Sequence, residues 1–109
     1  MDITSYKLQT RLDNDMADVC FEYVKKSVLE FQSTLDNDHE VGVMLASFGK
    51  NITMHVTHIG YQNPNILIFA GFVDGSRAEL IQHMSQLNFL LLALKKQEPE
   101  MPPVRVGFI

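Results

Sequence analysis

The chain of 109 residues contains no tryptophan and a single cysteine, Cys20. One cysteine cannot form an internal disulfide, and its place between Val19 and Phe21 in a helical pattern is typical of a buried thiol in a reducing compartment. The longest apolar run is far shorter than the roughly 20 residues that a membrane-spanning helix needs. No basic region followed by an apolar stretch opens the chain, so no export signal is visible. We therefore expect a cytoplasmic protein with no membrane partner.

An excess of basic residues is also lacking. The chain carries 13 acidic and 9 basic residues, for a formal net charge of −4. Because lysine and arginine contacts with phosphates supply most of the affinity for duplex nucleic acid, this balance argues against such a partner. A small anion held by two or three arginines remains compatible with it. The length and the ordinary hydrophobic content indicate one globular domain over residues 1–109.

The hydrophobic period predicts one helix followed by several strands. Apolar residues recur at three- and four-residue intervals from Met16 to Leu35, which predicts an amphipathic N-terminal helix of about five turns. The period then changes to two, and turn residues at 49–51, 63–65 and 74–77 separate four strands of an antiparallel meander. The first twelve residues are compatible with a strand or a helix, and we favour a further strand.

The last third of the chain is more apolar. Ser85 is a plausible N-cap for a short apolar helix from Gln86 to Lys96, and the prolines beyond it predict an extended edge strand over Val104–Ile109. We therefore predict an α+β fold with an antiparallel sheet of about five to six strands, one long N-terminal helix and one short apolar helix before the last strand. Strand 66–69 is apolar on both faces, which two helices can hardly cover, so we expect self-association.

Polar side chains interrupt this apolar region and are candidates for a binding site. Unsatisfied buried polar groups cost about 1–3 kcal/mol each, so either a structural network or a ligand must bond them. Both interpretations stay open for the polar residues of the region, which are Gln82, His83, Gln86, Asn88 and Arg105.

Four residues have side chains suited to a nucleotide. The Asn88 amide could read one edge of a purine, and the Arg105 guanidinium could hold a phosphate or stack on a base. Arg77 is a second candidate phosphate contact, and Phe72 could stack. Their structural alternatives are a turn-bonding amide, edge-strand or turn charges and a core aromatic.

Two His-x-Thr/Ser patterns, at 55–57 and 83–85, raise a catalytic alternative. Facing each other, they could bracket a phosphodiester with one imidazole as general base and the other as general acid. The pattern resembles the signature of the two-histidine phosphoesterases, although that fold is larger and spaces its motifs farther apart. His55 and His58 are three residues apart, which predicts opposite faces of a strand, and no carboxylate or cysteine completes a metal site. We expect no catalytic residue, no metal and no cofactor.

A family resemblance rests on three segments and their order. These are Val-Gly-Val-Met-Leu-Ala-Ser-Phe-Gly at 41–49, Leu-Ile-Gln-His-Met-Ser-Gln-Leu-Asn-Phe-Leu-Leu at 80–91 and Pro-Pro-Val-Arg-Val-Gly-Phe at 102–108. From Val41 onward the chain resembles the first type of phage Thoeris anti-defence protein, small sponges that sequester cyclic nucleotide signals made by bacterial immune enzymes.

The resemblance implies tight binding of cyclic ADP-ribose isomers without cleavage, in the host bacterial cytoplasm. It also implies sites between the protomers of a homodimer, further assembly into a hexamer, and cyclic oligonucleotides as additional ligands of some members. Asn88 and Arg105 match the family's ligand contacts best and Phe72 follows, while we add Arg77 and His83 as expected contacts. A two-histidine phosphodiesterase and a protein–protein adaptor that uses an open sheet edge are the alternatives.

Overall fold

The computed structural model describes residues 16–45 and 51–109. One helix, α1 (Ala17–Gln32), precedes six strands: β1 (His39–Leu45), β2 (Ile52–Gln62), β3 (Ile66–Val73), β4 (Ser76–His83), β5 (Phe89–Lys95) and β6 (Gly107–Phe108). The strands lie in the order β4-β3-β2-β1-β5, and β6 pairs with β2. The predicted α+β class and the sheet of five to six strands are confirmed. The strand expected in the first twelve residues and most of the turn at 49–51 lie outside the described ranges.

Helix α1 covers one face of the sheet. It has 16 residues, fewer than the predicted five turns, and it buries Ala17, Phe21 and Val28. The Ser33 and Thr34 hydroxyls donate to carbonyls of the last turn, at 2.7 Å each. Such local bonds compete with continuation of the helix. Cys20 is half-buried, and burial raises the pKa of its thiol, which keeps it in the unreactive protonated form.

The β2–β3 turn holds the start of the helix. The Ala17 amide donates to the Pro64 carbonyl at 2.7 Å, and the Asp18 amide donates to the Asn63 side chain at 3.1 Å. The first amides of a helix have no partner inside it, so a turn that offers two oxygens can replace a capping side chain. The Asn63-Pro-Asn65 break therefore also fixes where the helix packs.

The predicted meander is confirmed, because β1 to β4 are antiparallel neighbours in chain order. The β3–β4 hairpin turns at Asp74 and Gly75, whose φ angles are 50° and 81°. Two positive φ angles suit the right-handed twist of a two-residue hairpin, which explains the Asp-Gly pair. Facing α1, the alternate residues of the sheet form the core; they include Val41, Val43, Met54, Val56, Ile59, Leu67 and Phe69.

The short apolar helix predicted over Gln86–Lys96 is wrong. After a single 3₁₀ turn (Met84–Gln86), residues Phe89–Lys95 form strand β5, which pairs antiparallel with all of β1. Both faces of β5 are apolar because both pack against other residues of the chain. Phe89 packs edge-on against Phe69 in the core, with ring centroids 5.2 Å apart. On the other face, Leu94 lies over Gly42 and fills the place that a Cβ there would occupy.

The C-terminal segment joins the sheet beside β2 instead of at an edge. β1 pairs with β2 only from Gly42 to Leu45, and β6 pairs in parallel with the next part of β2, at His58 and Ile59. Glu40, only 4% exposed, accepts the Val104 amide at 2.8 Å. The edge strand predicted over Val104–Ile109 is therefore corrected to the pairing of Gly107–Phe108 with β2. None of the helices in the described part of the chain is long and apolar enough to cross a membrane.

Candidate functional site

A β-bulge in β2 shapes the main pocket. The register between β2 and β3 passes from Val56↔Gly71 to His58↔Ala70, so Thr57 is an extra residue. The Thr57 hydroxyl donates to the Ala70 carbonyl at 3.2 Å. Because bulges bend a strand and redirect its side chains, they occur often beside functional sites.

The bulge also reverses one expectation about the histidines. His55 pairs with Phe72 and His58 pairs with Ala70, and these two partners share one face of β3. His55 and His58 therefore lie on the same face, the one opposite α1, which we call the distal face. The prediction of opposite faces was wrong because the extra residue, Thr57, shifts the alternation of side chains by one position, which puts His58 on the same face as His55.

The pocket formed here, the bulge pocket, is a cavity of about 480 Å³. Cross-strand pairing places Phe72 beside Arg77 and Ala70 beside Glu79. Phe72 is half-buried, whereas Arg77 and Glu79 are exposed. The complete lining is Thr57, His58, Ala70, Gly71, Phe72, Arg77, Ala78 and Glu79. A smaller cavity of about 180 Å³ shares His58, Ala70 and Glu79 and extends the groove towards Gly60 and Ile109.

The chemistry of the bulge pocket suits a small ligand with a planar ring and a negative charge. Its volume falls in the range of about 300–1,000 Å³ that is usual for small-molecule sites. Phe72 lines the pocket with a half-buried aromatic side chain, and Arg77 makes no ion pair within the described part of the chain. A guanidinium without a carboxylate partner can bind a phosphate through two parallel hydrogen bonds. Glu79 and the Thr57 hydroxyl add acceptors for hydroxyl or amino groups.

The structure brings together two of the five residues predicted to bind ligand, Phe72 and Arg77. Arg105 lies elsewhere: its guanidinium donates to the His39 and Asp36 carbonyls, at 3.1 Å each, and ties the C-terminal segment to the α1–β1 loop. In the same loop, the hydrogen bond from His39 to Asp36 lowers the pKa of the Asp36 carboxyl.

The other two residues are also remote from the bulge pocket. His83 caps the 3₁₀ turn, since its Nδ1 accepts the Ser85 amide at 3.1 Å. Asn88 is exposed in the link between that turn and β5, and it does not lie in a helix. Of the polar residues singled out around it, Gln86 is exposed and Gln82 is buried, with no partner for its Oε1 among the described residues.

The histidines required for the phosphodiesterase alternative do not converge within one chain. His55 pairs with Phe72 near one end of β3, and His83 pairs with Ile66 at the other end. Six residues of strand separate these partners, which corresponds to roughly 20 Å. His55 Nδ1 is instead 3.1 Å from the buried Glu40 carboxylate. Within residues 16–45 and 51–109, no group of three or more histidine, cysteine or acidic side chains could hold a metal ion.

Sequence reasoning did not place Thr57, His58 or Glu79 in one site with Phe72 and Arg77, although it offered Thr57 within the 55–57 pattern and weighed His58 as a metal ligand. Glu79 could have been found, because the Asp-Gly turn fixes the β3–β4 register and places it two residues beyond Arg77 on the same face. The positions of Thr57 and His58 beside them could not be predicted, since nothing in the strand pattern marks the bulge.

Residues 8–109 match the model of the family described as "Family of unknown function (DUF6173)". The chain belongs to the DUF6173 family. No curated protein and no solved structure matches it. In this DUF6173 chain, the matched range contains the bulge pocket, the whole sheet and the C-terminal segment.

Proposed function

We propose that this chain binds and sequesters a small cyclic nucleotide signal in the bulge pocket without cleaving it. The ligand would be a cyclic ADP-ribose isomer, and a cyclic oligonucleotide is a further candidate. The observation that carries the proposal is the Phe72↔Arg77 pair on the wall of a cavity of about 480 Å³. The resemblance of the sequence to the anti-defence sponges supports the setting, a phage or prophage protein that acts in the host bacterial cytoplasm.

Each part of such a ligand has a suitable partner. A base can stack on Phe72, a contact worth about 1–3 kcal/mol in proteins that bind single strands. Arg77 is placed one cross-strand pair away and can bond a phosphate. Glu79 can accept a ribose hydroxyl or an exocyclic amine, and its charge disfavours a ligand with phosphates on every side.

Binding without cleavage fits the position of the histidines. A phosphodiester in the bulge pocket would meet His58 but not His83, which belongs to the opposite end of β3. The two-histidine mechanism needs both imidazoles within hydrogen-bond reach of the reacting atoms, and the bulge pocket offers one. We further propose a homodimer that assembles into a hexamer, supported by Leu90, an apolar residue that remains exposed on the distal face.

The test is to measure binding and then recover the ligand. Cyclic ADP-ribose isomers and cyclic di- and trinucleotides are screened by thermal shift, and the best ligand is measured by calorimetry. The protein is then heat-denatured and the released ligand is chromatographed. Intact nucleotide supports sequestration, whereas a linear product would establish the phosphodiesterase alternative.

Variants locate the site. Phe72→Ala and Arg77→Ala should each weaken affinity about ten- to a hundredfold, as expected for loss of one stacking or charged phosphate contact. Ile81→Ala is the matched control, because Ile81 lies on the distal face of β4 but does not line the pocket. Undiminished affinity in the double variant would refute the bulge pocket. If Asn88→Ala and Arg105→Ala lost affinity instead, the ligand site would be the one that the resemblance implies.

A further inference from the structure

The two edges of the described sheet differ in their protection. The end strands are β4 and β5. β4 carries Arg77, Glu79 and His83 along its length. β5 has six apolar residues in seven, and its only charge is Lys95 at the end. Edge strands are normally guarded by charges, prolines or bulges, because their unpaired amides and carbonyls can pair with another chain. β4 has charged side chains along its length, whereas β5 has neither a proline nor a charge before Lys95.

The surface beside β5 is apolar as well. Leu90 is 59% exposed and Tyr23 on α1 is 69% exposed. Between α1 and β5 runs a groove of about 380 Å³, lined by Tyr23, Val24, Ser27, Val28, Phe89, Leu90 and Leu91. Contiguous exposed apolar surface of this kind marks interaction sites in proteins.

We propose that β5 is a dimerisation edge, on which a second copy of this chain pairs its own β5 in antiparallel orientation. The two sheets then form one continuous sheet across a twofold axis. Antiparallel alignment of all seven residues is centred on Leu92. The interface closes after two copies, because each β5 edge is then used.

Repulsion between lysines favours the antiparallel orientation of the two β5 strands. Parallel pairing would place Lys95 and Lys96 of one copy beside the same residues of the other, which is unfavourable. Antiparallel pairing moves these pairs to opposite ends of the interface, roughly 20 Å apart. There each Lys95 lies opposite Phe89 of the other copy, so no like charges are paired across the interface.

This inference rests on the homodimer of the proposed function but not on its ligand. Residues of the bulge pocket belong to β2, β3 and β4, whereas the proposed interface belongs to β5 and α1. Loss of dimerisation and loss of nucleotide binding are therefore separate measurements on the same variants.

Sedimentation velocity at micromolar concentration tests the proposal with a matched pair of substitutions. Leu90 and Ile81 both lie exposed on the distal face, at opposite edges of the sheet. The wild type should sediment as a dimer of the 12.4 kDa chain, or as the proposed hexamer of three such dimers. Leu90→Lys should abolish the dimer, because a charge then lies in the interface, and Ile81→Lys should keep the wild-type assembly. Circular dichroism establishes that both variants are folded.

A cross-link tests the strand pairing without disturbing the edge. In a Cys20→Ala background, Leu92→Cys places the two introduced thiols opposite each other across the twofold axis, where their Cβ atoms are about 5 Å apart. Mild oxidation should yield covalent dimers, and Ile81→Cys should not. A monomeric wild type, a dimer that Ile81→Lys dissociates and Leu90→Lys does not, or a persistent dimer in which Leu92→Cys forms no cross-link would each overturn the proposal.

Discussion

Arg105 lies between two valines in the sequence, as a ligand-binding arginine on an apolar strand would. In the structure its guanidinium bonds two backbone carbonyls of the α1–β1 loop. Those carbonyls belong to residues about 66 to 69 positions earlier in the chain, a proximity that no local pattern reports. The sequence identifies an arginine with an unusual setting, but the long-range packing decides which oxygens it meets.

Replacement of Arg105 by alanine should therefore destabilise the fold. Two charge-assisted hydrogen bonds are lost, but the side chain is exposed, so we expect a cost of about 1–2 kcal/mol in the free energy of unfolding. Urea denaturation measures this cost, and Arg105→Lys is the control that keeps the charge but has one donor nitrogen in place of the two that bond the loop carbonyls. Unchanged stability together with tenfold weaker nucleotide binding would show that Arg105 contacts the ligand, as the sequence predicts.

Phe72 and Arg77 became neighbours through a local rule. The Asp74-Gly75 turn occupies two residues, so the flanking residues pair outwards from it and Phe72 reaches Arg77 as the second pair. This half of the candidate site could therefore be predicted from the turn alone. The other half depends on Thr57, an insertion in the strand with no marker in its sequence.

At the scale of elements, β5 is the place where a predicted helix is a strand. Its residues are apolar at every position up to Leu94, so the pattern shows neither a period of two nor one of 3.6 residues. Ser85 resembles a helix cap, but it belongs to the 3₁₀ turn that His83 caps. Pairing with β1, far away in the chain, then decides in favour of a strand.

The bulge between β2 and β3 should be intolerant of a methyl group at Gly71. There the backbone of β2 approaches so closely that an added Cβ would lie 1.8 Å from the His55 carbonyl oxygen. Gly71→Ala must displace backbone and should cost about 2–3 kcal/mol. Gly60→Ala on the same pair of strands is the control, since its Cβ would first meet the Ile109 side chain at 3.5 Å. Equal thermal stability of the two variants would show that the bulge is more compliant than its geometry implies.

The whole molecule combines a meander that the sequence predicts with the placement of two strands, β5 and β6, that it does not. The period of two and the turn residues account for the β1–β4 meander, and the helical period accounts for α1. The positions of β5 beside β1 and of β6 beside β2 depend on tertiary contacts. Self-association, anticipated from strands apolar on both faces, stays a prediction that the β5 substitutions test.

The C-terminal segment also has a consequence for the order of events in folding. It is synthesised after every strand it joins, and it pairs Gly107 with His58 across nearly half of the chain. Such distant contacts form late, because closing a long loop costs more entropy than closing a hairpin. On the ribosome the meander can therefore assemble first. The Glu40 carboxylate then accepts the Val104 amide once the C-terminal segment has been made.

Contacts of the C-terminal segment that form late should affect the unfolding rate more than the folding rate. Val106, buried at 7% exposure, should affect mainly the unfolding rate when truncated to alanine, whereas Leu67→Ala inside the meander should slow folding. Stopped-flow measurements over a range of urea concentrations separate the two rates. If Val106→Ala slowed folding as much as Leu67→Ala did, the C-terminal segment would belong to the folding nucleus. If it does not, the pairing of β6 with β2 follows the rate-limiting step of folding, and the meander forms its transition state without the last residues of the chain.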